Sequence, residues 1–184
     1  MRTVPARFTR RAALGGATAL AFASCGGGDE PSSNRPQAGS GAGLLNSIVA
    51  LEHASVAAWA AIAAALSRDA RTHAEVIRRR EMQHVKRVSA LVEELGGTPP
   101  EGRPRSQYQP MFPRLSDEAS ALHFARDLEE RLVRAYLDAL RSLPDAEQRR
   151  TAAEIAAEEA EDLAVVALLS GEPASSQAFV TGVS

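Results

Sequence analysis

The 184-residue chain carries a formal net charge of −2, with 21 basic against 23 acidic side chains, so no basic excess points to nucleic acid as a partner. Its single cysteine excludes an internal disulfide and a thiolate-rich metal site. Abundant Ala, Leu, Glu and Arg with only 4% aromatics favour helix over sheet.

The first element in chain order is a targeting segment. Arg10 and Arg11 precede a short apolar run, residues 12–24, with the proportions of an export signal. No stretch is expected to reach the roughly 20 apolar residues of a membrane span. The start Thr9-Arg10-Arg11 resembles a twin-arginine signal. Phe22-Ala23-Ser24-Cys25 resembles a bacterial lipobox, with Phe22 where Leu is usual. Residues 1–24 are therefore expected to be a signal peptide and Cys25 a lipidated residue. Residues 25–42, rich in Gly, Ser and Pro, read as a flexible tether. The expected location is the outer face of the bacterial cytoplasmic membrane, reached by twin-arginine export and held by the lipid at Cys25.

A folded domain is expected over 43–171, with a loose tail at 172–184. Four helices are predicted, at 43–67, 69–95, 116–141 and 145–170. Gly96-Gly97 followed by Pro99-Pro100 ends the second, and Ser116 is the expected cap of the third, with Asp117 and Glu118 in its first turn. Two short links imply two antiparallel hairpins. The Pro-rich stretch 98–115 joins them. It can extend to roughly 60 Å, against about 37 Å for a 25-residue helix, so it can cross the whole bundle. The predicted fold is all-α, a ferritin-like four-helix bundle of two hairpins joined by a long crossover.

Stepping by alternating threes and fours along each helix gives one buried seam. The seams read Leu45, Ile48, Glu52, Ser55, Trp59, Ile62; Ala74, Ile77, Glu81, His84, Val88, Leu91; Leu122, Ala125, Glu129, Leu132, Tyr136; and Ile155, Glu159, Asp162, Val166. Each is apolar except near its middle, where every helix places a carboxylate. Buried carboxylates are costly unless paired, protonated or bound to a cation. Glu52, Glu81 and His84 fall about 13 to 16 residues from the first turn, roughly 20–24 Å along their helices. Glu129, Glu159 and Asp162 lie at similar depths from the second turn. LEHASVAAW (51–59) also aligns with LEERLVRAY (128–136), and IRRREMQH (77–84) with IAAEEAED (155–162), a weak repeat of one two-helix unit.

Residues three apart on a helix share a face, so Glu81 with His84, and Glu159 with Asp162, can each grip one ion, while Glu52 and Glu129 add one carboxylate each. That is the plan of di-iron and di-manganese bundles. Oxygen-rich, thiolate-free ligation suits iron or manganese better than structural zinc. Glu154, Glu158 and Glu161 read as a solvated face. His53, His73 and His123 are expected at the surface, and Trp59 and Tyr136 in core packing. Arg78, Arg79 and Arg80 read as solvated, with room for one to pair with a ligand carboxylate.

At these residues the chain resembles the bacterial ferritin-like domain family with its Glu, Glu-x-x-His, Glu, Glu-x-x-His pattern, on LLNSIVALEHASVAAWAA, EMQHVKRVSALVEELGGTPP, DLEERLVRAY and EIAAEEAEDL. The resemblance covers about 44–170. It implies a dinuclear site at Glu52, Glu81, His84, Glu129 and Glu159. Asp162 stands where the pattern has His, so five carboxylates would face two divalent ions with a nominal excess of one negative charge. A trivalent ion, a protonated carboxyl or a nearby arginine could absorb it; alternatively the second position is degraded and the site binds one ion, or none. Three functions follow: oxidation of Fe(II) or reduction of dioxygen or peroxide at a two-metal site, a metal-holding module without turnover, or a metal-free scaffold for a partner protein.

Overall fold

A computed structural model describes residues 41–172. The expected export signal at Arg10 and Arg11, the expected lipidation at Cys25, most of the expected tether and the expected tail beyond 172 lie outside the described residues. Among those residues the elements are all helical: α1 (Gly41–Ala65), α2 (Arg68–Glu94), a short α3 (Arg105–Tyr108) running into a 3-10 turn (Gln109–Met111), α4 (Glu118–Ser142) and α5 (Ala146–Leu169). The four long helices match the expected ones to within two residues at each end. The helix α1 starts at Gly41, inside the expected tether. The Pro-rich crossover contains α3.

The helix ends follow local chemistry. Asp117, not Ser116, caps α4: its carboxylate accepts from the Ser120 amide while the Ser120 hydroxyl accepts from the Asp117 amide. Asp145 caps α5 through the amides of Glu147 and Gln148. Gly96, at φ +72°, supplies the left-handed residue after α2, and the Gly97 amide returns to the Val92 carbonyl at 2.9 Å.

Each of the four helix neighbours runs antiparallel. The pairs α1–α2 and α4–α5 form the hairpins, and α1 lies on α4 and α2 on α5. At one end Gly41 packs near Leu95 and Leu143; at the other Ser67 donates to Glu118 at 3.0 Å. The helices α2 and α4 therefore run parallel, and the crossover must return the length of the bundle. It does so along α1: Gly102 sits against His53, Arg105 donates to the Ala60 carbonyl at 3.3 Å, and Phe112 and Leu115 pack on the core. The ferritin-like connection is thus the one observed.

One core fills the interior, with Leu45, Ile48, Trp59, Ile62, Ile77, Leu132, Tyr136 and Ile155 among its fully buried side chains. Contrary to the sequence expectation, α1 is long and apolar enough to cross a membrane by length and composition alone. Its apolar residues serve the core instead: Leu45, Ile48, Val49, Trp59 and Ile62 are buried there beside Glu52 and Ser55.

Candidate metal centre

At mid-height the apolar core gives way to six ionisable side chains. Glu52, Glu81, His84, Glu129 and Glu159 are completely buried and Asp162 nearly so. All six seam positions therefore point inward, as their spacing requires. Their ligand atoms form two overlapping sets, Glu52, Glu81, His84, Glu159 and Glu81, Glu129, Glu159, Asp162, each with its atoms within 4.8 Å of one another. Glu81 and Glu159 belong to both sets. Glu52 and His84 complete one set and Glu129 and Asp162 the other.

The layer is tied down from outside by aromatic donors. Trp59 Nε1 donates to Glu129 Oε1 at 2.8 Å, and the Tyr136 hydroxyl donates to Glu52 Oε1. Each aromatic lies two turns beyond the carboxylate of its own helix and bonds the carboxylate of the neighbouring helix. Trp59 and Tyr136 are core residues, as expected, and hydrogen-bond donors as well. One oxygen of each end carboxylate is thereby committed, and one is left facing the layer.

Electrostatics in the layer are severe. Burial, then the charges of Glu81 and Glu159, push the Glu52 carboxyl well above its ordinary value; the Tyr136 bond opposes them. Burial and the same two neighbours raise Glu129, and burial with Glu81 raises Glu159. Burial also lifts Asp162 to about 7, although Arg80 pulls the other way. For His84 burial acts downward, but the nearby Glu81 carboxylate and the bonded Glu158 outweigh it and the imidazole is raised. With no cation, this layer must hold protons to be tolerable.

The atoms without partners mark where a cation fits. Glu52 Oε2, both oxygens of Glu81 and of Glu159, His84 Nδ1, Glu129 Oε2 and Asp162 Oδ2 are buried with no hydrogen-bond partner. His84 Nδ1 lies 2.7 Å from Glu159 Oε1, near the separation of about 3 Å between adjacent ligands on an octahedral ion with bonds of about 2.1 Å. Buried orphans on this scale are rare in folded proteins unless a ligand or ion satisfies them. The donor set, carboxylates and one imidazole, is one that can hold a metal ion. These residues therefore fit a metal site.

Two contacts around the layer correct or refine the sequence reading. Glu158 was expected in solvent; it is half-buried, 2.7 Å from His84 Nε2, and paired with Arg87 at 2.9 Å. Burial would raise Glu158, but His84 and Arg87 hold it below its ordinary value. It is therefore ionised and accepts from Nε2–H, which turns Nδ1 toward the layer. Arg80 is the arginine that pairs with a layer carboxylate, at 2.9 Å from Asp162 Oδ1. The internal repeat held the signal for both: Arg80 and Glu158 are aligned, each one residue before a buried glutamate, and each reaches the residue aligned with the other's partner. Glu154 and Glu161 are exposed, as are His73 and His123, in agreement with expectation, while His53 is partly covered by the crossover.

Four antiparallel helices with a lengthwise crossover and a central carboxylate layer define a ferritin-like bundle. The chain belongs to the ferritin-like domain family, whose model matches residues 14–172. It is also similar in fold to the crystal structure of a conserved hypothetical protein, rv2844, from Mycobacterium tuberculosis, with a TM-score of 0.65 at 17% identity, covering 72% of this chain and 98% of that one. No curated protein matches the chain.

Proposed function

We propose that the layer is a dinuclear iron or manganese site on the outer face of the cytoplasmic membrane, serving oxidation of Fe(II) or reduction of dioxygen or peroxide. The observation that carries it is the set of orphaned oxygens and His84 Nδ1, gathered from four helices into two ligand sets that share Glu81 and Glu159. Glu52 and His84 would hold one ion, Glu129 and Asp162 the other, and Glu81 and Glu159 would bridge. Bound metal would supply the electron transfer, two Fe(II) giving the two electrons that, with two protons, take O2 to H2O2 or H2O2 to water. The chain's own part is to orient His84 through Glu158, fix the end carboxylates through Trp59 and Tyr136, and keep the layer dry. Export by Arg10 and Arg11 and anchoring at Cys25 belong to the same proposal, and loss of membrane association in Cys25→Ala tests the anchor.

The test is metal content of the purified full-length protein after anaerobic loading with Fe(II) or Mn(II). About two equivalents and a raised melting temperature are expected. Less than about a tenth of an equivalent with an unchanged melting temperature sinks metal binding and favours the metal-free scaffold. Aerobic Fe(II) oxidation no faster than in Glu81→Ala leaves a protein that holds metal without turnover.

A further inference from the structure

We propose that the two halves of the layer are unequal by construction: an ion at the Glu52–His84 position is held more tightly than one at the Glu129–Asp162 position, and the Arg80–Asp162 pair sets the difference. This rests on the metal-binding reading above and ranks its two positions.

The donors differ first. One position has an imidazole nitrogen among its carboxylates and the other has oxygen alone; first-row transition ions favour imidazole more as they become softer. The supporting contacts then differ in sign. Behind His84 stands an anion, Glu158, whose hydrogen bond to Nε2 at 2.7 Å fixes the ring and strengthens Nδ1 as a donor. Behind Asp162 stands a cation. Arg80 occupies Oδ1 at 2.9 Å, leaving only Oδ2 for the layer. It also puts a full positive charge one carboxylate away from any ion bound there. That repulsion is poorly screened, because the Asp162 side chain is 2% exposed and that of Arg80 30%. Arg80 is anchored in place by the Glu158 carbonyl at 3.3 Å and by Glu161 at 3.5 Å.

The exchange is matched across the repeat. Where one half pairs neutral His84 with acidic Glu158, the other pairs acidic Asp162 with basic Arg80. Arg80 cancels the extra charge that Asp162 brings, so the five carboxylates and one guanidinium balance two divalent ions. The second position gains no excess attraction to make up for its missing nitrogen.

The experiment is calorimetric titration of the metal-free full-length protein with Co(II), with visible absorption followed in parallel. Wild type is expected to show two steps with dissociation constants at least about tenfold apart. Arg80→Gln is expected to tighten the second step at least about fivefold and leave the first within about twofold. Arg80→Lys should keep the wild-type separation. Should Arg80→Gln fail to fold, Arg80→Glu combined with Asp162→His rebuilds on the second half the pair that Glu158 and His84 form on the first, and its two steps are expected to merge. Indistinguishable steps in wild type, a separation unchanged in the folded variants, or a second step weakened by Arg80→Gln overturns the proposal and leaves metal binding standing. No Co(II) bound by wild type overturns both.

Discussion

Trp59 on α1 donates its indole proton to Glu129 on the neighbouring helix α4 at 2.8 Å. Tyr136 on α4 returns the contact to Glu52 on α1. All four side chains are completely buried, so each carboxylate depends on a donor that solvent cannot replace. Trp59→Phe and Tyr136→Phe should each destabilise the protein by about 1–3 kcal/mol, the cost of leaving a buried acceptor unpaired. Urea denaturation checks this. Losses below about 0.5 kcal/mol in both variants would show that these bonds do not hold the layer.

The sequence made the layer legible because its residues obey the same period as the core. Glu52, Glu81, Glu129 and Glu159 stand where Leu or Ile would stand, and the physical cost of a buried carboxylate makes that position informative. Glu158 and Arg80 sit off the seam, one residue before it. Whether such a side chain meets water or the neighbouring helix depends on how closely α2 and α5 approach, which no single-helix pattern contains. The short α3 was illegible for a related reason: Arg105–Tyr108 is too brief to show a period, and it packs on α1 through contacts remote in sequence. Ser116 and Asp117 are both good caps, and the reciprocal bond with Ser120 decides for Asp117.

Stability of the metal-free protein should fall as pH rises. Glu52, Glu129 and Glu159 are raised by burial and by the charge of Glu81 beside them, and Asp162 is raised to about 7. Between the ordinary carboxylate range and these raised values the folded state binds more protons than the unfolded state, so each group lowers stability by up to ~1.4 kcal/mol per pH unit. His84, also raised, adds in the same direction above its ordinary value. Glu158, held low, acts oppositely, and only on the acid side of the ordinary carboxylate range. Denaturation with chelator present should therefore give a lower midpoint at pH 8 than at pH 5. Saturating metal should remove most of the difference, since bound cations replace the protons. A midpoint that rises between pH 5 and 8 without metal contradicts the burial of these charges.

Glu158→Gln keeps the size of the side chain and removes the anion behind His84. The His84 ring exchanges a charged acceptor for a neutral amide, which polarises Nδ1 less and fixes the tautomer less firmly, and metal affinity should fall about 10- to 100-fold, the usual cost of losing such a partner. Titration of wild type and variant with Mn(II) measures it. Arg87 keeps its contact with Glu154 at 2.9 Å in either case, so the metal-free fold should change little. An affinity within about twofold of wild type would return Glu158 to the solvated role first expected of it.

The crossover has its own test at Gly102. A Cβ there would come within 2.7 Å of His53 Nδ1 and 3.0 Å of Cε1. The obstacle is the ring itself, close to its attachment at Cγ, so no small rotation of a flexible tip relieves it. Gly102→Ala should therefore cost about 1–3 kcal/mol through overpacking. The strain is local to one pair, so His53→Ala should suppress it. In a double-mutant cycle Gly102→Ala on the His53→Ala background should be close to neutral, with a coupling of at least about 1 kcal/mol. Independent, additive effects would mean that the crossover does not lie on α1 at His53. The lengthwise path between the hairpins, which also runs beside the carboxylate-bearing helix, would then need revision.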